Sequence, residues 1–87
     1  MLVKTASGFE IDIDKDGFAD DWELLELLVQ ADRNNQAATI EAMQKILGRD
    51  GYNALKEHIR KDGKVSAVRM KNEFMEILTA FGDSEKN

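Results

Sequence analysis

Five acidic residues near the amino terminus have the types and the spacing to bind a hard cation. Asp12, Asp14 and Asp16 alternate with Ile13 and Lys15, Gly17 follows, Asp20 stands at the ninth position and Glu23 at the twelfth. This is the D-x-D-x-D-G-x5-E pattern of an EF-hand calcium loop. Calcium takes several carboxylate oxygens, the glycine permits a sharp turn, and the last glutamate supplies two oxygens at once. Three features oppose the reading. A helix must enter such a loop, whereas Phe9, Ile11 and Ile13 alternate with Glu10, Asp12 and Asp14 at the period of a half-buried strand, directly after Gly8. The eighth position, usually a bulky aliphatic, is Ala19. The loop also stands alone, although such loops normally pair. The alternative assigns the acids separately: Asp12 and Asp14 project from a strand, Asp16-Gly17 makes a turn, and Asp20 caps a helix in partnership with Glu23.

Little else in the chain suggests bond chemistry. His58 is the only histidine and cysteine is absent, so no thiolate or multi-histidine metal site can form and no disulfide is available. His58 lies at the margin of a helical apolar stripe, without the base and orienting partner that catalysis requires. Ser7, Ser66 and Ser84 suit turns and caps, and no phosphate-cradling glycine run or nucleophile elbow occurs. Lys56, Arg60, Lys61 and Lys64 form a local basic stretch that reads as a solvated helix face. The chain is expected to catalyse nothing.

The elements that would position these residues follow from periodicity and glycine punctuation, since proline is absent. The alternating segment pairs with residues 2–5 across Ala6-Ser7-Gly8, a three-residue hairpin loop whose glycine takes the left-handed conformation. Four helices are expected after this hairpin of about 2–14: about 21–32, 36–47, 50–61 and 66–81. Asp20 caps the first, Asn34-Asn35 breaks the chain after it, Gly48 stops the second, Asp62-Gly63 ends the third, and Ser66 opens the fourth before Gly82. The architecture is therefore mostly α, in one domain. In the first helix only Glu23, Glu26, Gln30 and Arg33 form a polar side. Its apolar arc covers roughly 220°, more than a surface helix needs. The fourth helix carries Ala67, Met70, Phe74, Ile77, Leu78 and Phe81 on one stripe, and Val68 with Met75 on a second.

Composition narrows the partners. With 87 residues there is room for one modest core, and 43% apolar against 33% charged residues is a globular balance. A formal charge of −5 disfavours nucleic acid and anionic membranes, which recruit lysine and arginine. No apolar run approaches the roughly 20 residues that span a bilayer. The first five residues lack the core of a signal peptide, and the cytosol is the expected compartment. Met43, Met70 and Met75 add adaptable apolar surface. The surplus on helices one and four selects Leu24, Leu27, Leu28, Val68, Met75 and Phe81 as expected contacts with another protein.

Several segments, in order along nearly the whole chain, carry a resemblance. Ser7-Gly8-Phe9-Glu10, Asp20-Asp21-Trp22-Glu23-Leu24-Leu25-Glu26, Leu47-Gly48 with Tyr52, Leu55-Lys56-Glu57-His58-Ile59-Arg60, residues 73–78 and a short charged tail resemble the tail assembly chaperones of long-tailed bacteriophages and prophages. The resemblance implies a protein of the host bacterial cytoplasm that is absent from the mature virion. It implies binding to the long helical tape measure protein, kept soluble while the tail tube polymerises around it, and self-association in many members. It also implies a ribosomal frameshift near the end of the frame. Glu85-Lys86-Asn87 can be encoded by a slippery A-AAA-AAC run, although synonymous codons would remove it. The small calcium-binding module and a generic helical adaptor are the alternatives.

Overall fold

The computed structural model describes residues 1–85; Lys86 and Asn87, on which the frameshift expectation falls, lie outside the described residues. Strands β1 (Leu2–Lys4) and β2 (Glu10–Asp12) pair antiparallel, with Val3 opposite Ile11. The hairpin closes through Thr5 N–H to Phe9 O and Gly8 N–H to Thr5 O, and Gly8 takes a φ of 93°. Alternation does its expected work: Val3, Phe9 and Ile13 are buried while Lys4, Glu10 and Asp12 face outward.

Four helices follow: α1 (Lys15–Ala19), α2 (Trp22–Asp32), α3 (Gln36–Ile59) and α4 (Ala67–Glu85). Asp21 is the cap of α2, its carboxylate accepting from Leu24 N–H at 3.0 Å, and Asp20 is instead the residue that ends α1. The expected pairing of Asp20 with Glu23 is thereby replaced, because α2 begins at Trp22 and the capping residue is the one just before it. That amide holds the Asp21 carboxyl below its ordinary value; partial desolvation opposes the shift and Lys45, at 3.3 Å, adds to it. The cap therefore supports α2 while Asp21 is ionised, and its contribution is lost as pH falls through the lowered value of the folded protein.

The second and third expected helices are joined without a loop. Gly48 (φ 74°, ψ 168°) kinks α3 in a backbone region open essentially to glycine, where another residue costs about 1–3 kcal/mol. The stop was correctly placed; the helix simply restarts on its far side. Asn35 caps α3 through Ala38 N–H, and Ser66 caps α4 through Arg69 N–H. Between them Asp62 and Gly63 take positive φ in a tight turn that pairs Lys61 with Lys64. The last helix continues past Gly82 to Glu85.

The core lies where the hairpin, α3 and α4 meet, around Ala42, Leu55 and Ile77, which are fully inaccessible. Helix α2 packs on α3, and α4 packs on α3 and β1, but α2 and α4 barely touch among the described residues. No helix among those residues is long and apolar enough to cross a membrane.

Candidate functional site

The carboxylates of the calcium pattern are divided among separate local tasks. Asp12 accepts from the terminal ammonium of Met1 at 2.9 Å. Asp14 caps α1 by accepting from Gly17 N–H at 3.2 Å, and Asp16 lies in the first turn of that helix. Asp20 closes α1, and Glu23 sits on α2 beside Glu26 and Gln30, facing α3. A five-residue helix thus stands where the loop would have to wrap a cation, and the turn expected at Asp16-Gly17 is its interior. Among the described residues no three His, Asp or Glu side chains are grouped to hold a metal ion. Calcium raised to about 1 mM is accordingly expected to leave the melting temperature and Trp22 emission unchanged. A shift in either would restore the loop reading.

The gap between α2 and α4 is an apolar trough. Two hollows, about 560 Å³ and 350 Å³, border one another at Leu28 and Leu78, which line both. Phe74 and Met75 line the first; Phe18, Leu25 and Phe81 line the second, where the rings of Phe18 and Phe81 lie 6.2 Å apart. The trough exists because α2 spends its apolar arc unevenly. Leu24 points into the core, Leu27 turns toward α3, and Leu28 is left half-buried at the trough.

Four of the six residues expected to meet a partner therefore line this trough: Leu24, Leu28, Met75 and Phe81. Leu24, at 3% exposure, is nevertheless core, because α2 lies flat on α3 along the side that bears it. Leu27 faces the polar hollow between α2 and α3, and Val68, though 69% exposed, lines a separate hollow with Ile59 and Val65. Trp22, 72% exposed beside the trough, is a surface residue that the expected contacts lacked. Its signal was available: Trp22, Leu25 and Val29 recur at i, i+3 and i+7, the spacing of one helix face, and all three are exposed.

A second polar cluster joins the hairpin tip to the helices. Ser7 Oγ donates to Glu73 Oε1 at 2.5 Å, and Ala6 N–H donates to Glu76 Oε1 at 3.1 Å. His58 Nε2 lies 3.2 Å from Ser7 O and 3.1 Å from Ser7 Oγ, with its ring tilted against Phe9. A carbonyl can only accept, so Nε2 carries the hydrogen in that bond. Together with Thr5 Oγ1, 3.1 Å from Ser7 Oγ, these contacts tie the hairpin tip to α3 and α4 as a latch. Glu73 is the residue that sequence reading missed. It is 4% exposed on α4, with Oε2 buried and unpartnered, and its signal was its place three residues after Met70 and four before Ile77, on the apolar stripe itself. Compared with known protein families, curated proteins and solved structures, the chain matches none.

Proposed function

We propose that this chain is a tail assembly chaperone of a long-tailed phage or prophage, acting in the host cytoplasm and left out of the finished virion. The trough between α2 and α4 receives a helix of the tape measure protein and hides its apolar stripe from water until the tail tube closes around it. The single observation that supports this reading is the open apolar trough itself. Its walls are α2 and α4, whose side chains Leu25, Leu28, Met75, Leu78 and Phe81 line it. A groove between two helices suits an amphipathic helix, whose anchors recur on one face. Met75, 60% exposed on α4, is the kind of side chain that adapts to varied apolar partners. The sequence resemblance points to the partner, and the trough supports the reading by leaving apolar surface open between two helices.

The test is co-expression with the tape measure protein, followed by pull-down and a solubility assay. The tape measure protein is expected to become soluble and to co-purify. Leu28→Asp combined with Met75→Asp places two carboxylates in the trough, and recovery should fall by about tenfold or more, since desolvating even one unpaired charge costs several kcal/mol. Far-UV circular dichroism must show the variant folded. Co-purification that persists at the wild-type level in a folded double variant would move the interface elsewhere; no co-purification with the unaltered chain would end the chaperone reading.

A further inference from the structure

The acids that line the trough stand on one side only, at the two ends of α2. From residue 16 to 32 the chain carries Asp16, Asp20, Asp21, Glu23, Glu26 and Asp32 and not one lysine or arginine. Of these, Asp20 and Asp21 line one end of the trough and Asp32 the other. Asp21 is committed to Lys45, whereas Asp20 and Asp32 take part in no ion pair among the described residues. Lys71, on the α4 side, is the single cationic side chain lining the two hollows among those residues. Between the acidic ends lies the length of α2, about 16 Å for an 11-residue helix.

We infer that the trough selects a basic amphipathic helix: about three turns of apolar stripe, with lysine or arginine near each end to meet Asp20 and Asp32. The inference rests on the trough reading above and adds the charge and length of the occupant. An apolar floor supplies affinity without direction, while carboxylates at the rims favour cations and repel acids, which sets which helix enters and how fast. A second copy of this chain is the less suitable occupant. Docked through its own α2, it would set one row of carboxylates against another.

Two synthetic peptides of about 15 residues test this, with the same leucine stripe, no tryptophan, and either lysine or glutamate at the flanking positions. Binding is read from Trp22 emission, which shifts to shorter wavelength as an exposed indole beside the trough is covered. The lysine peptide is expected to bind about tenfold more tightly at low salt, the sum of a few exposed ion pairs, with the gap closing toward 1 M salt. Asp20→Asn combined with Asp32→Asn should shrink the gap and leave an uncharged peptide's affinity unaltered. Equal binding of the two peptides would overturn the charge selection while leaving the apolar trough as a binding site. Binding of neither, alongside intact capture of the tape measure protein, would overturn the three-turn occupant. Concentration-dependent dimers that Leu28→Asp dissolves would give the trough to a second copy and likewise overturn the inference.

Discussion

Ile77→Ala is expected to cost about 3–4 kcal/mol, within the range for truncating a fully buried isoleucine. Ile77 is wholly inaccessible and stands on α4 facing the core, beneath the packing of that helix on α3 and on β1. Three apolar carbons leave a site that the surrounding elements cannot close without moving, so the transfer loss and the cavity add. A domain of this size has a total stability of roughly 5–15 kcal/mol, so one substitution removes a large share. The melting temperature should fall by about 12–30 °C, at roughly 4–8 °C per kcal/mol. Met75→Ala, two residues earlier on the same helix but 60% exposed, should cost less than about 0.5 kcal/mol. Urea unfolding followed by far-UV circular dichroism separates them. Equal costs at the two positions would mean that α4 does not sit on the core by the face described. The pair also separates folding from binding: Met75 lines the trough and Ile77 does not.

That separation is what the sequence could only half provide. The hairpin was legible because period two is unambiguous over Phe9, Ile11 and Ile13, and because Gly8 supplies the one conformation that a three-residue loop requires. Gly48 was legible as a break, but whether the chain turns away or kinks and continues depends on what covers its flanks. Leu47 and Leu55 both reach the same core, so α3 resumes at once. Helix α1 was hidden because five residues with a central glycine show no period, and its acids matched a metal loop just as well. Proximity in sequence suggested a common ligand; instead Asp12 meets the terminal ammonium, Asp14 caps α1, and Asp16 and Glu23 stand in the first turns of two different helices. The trough was legible as a surplus and not as a place. An apolar arc on α2 shows that more surface exists than one packing contact can bury, yet only the direction in which α3 lies assigns Leu24 inward and Trp22 outward.

Ser7→Ala is expected to destabilise the fold by about 2–3 kcal/mol, although Ser7 itself is exposed in the hairpin loop. Its hydroxyl is the sole hydrogen-bond donor to Glu73 among the described residues, and Glu73 is buried with its other oxygen already unpartnered. Removing the donor strands a second buried oxygen, and the cost of an unsatisfied buried acceptor exceeds the net value of the bond that was lost. Glu73→Gln should be milder, because the amide keeps an acceptor for Ser7 and adds no charge to the apolar surroundings. The decisive variant is Ser7→Ala combined with Glu73→Leu. Once the carboxylate is gone nothing remains to be stranded, so the double variant should recover most of what Ser7→Ala loses, with a coupling of about 1–3 kcal/mol between the sites. Additive losses, or a Ser7→Ala cost under about 0.5 kcal/mol, would show that the hairpin tip is held by Ala6 with Glu76 and by His58 alone. The outcome bears on the trough as well. Glu73 and Phe74 are adjacent on α4, one turned to the latch and the other to the trough, so the polar contact that ties the hairpin to α4 also fixes the rotation of the helix that forms the trough wall.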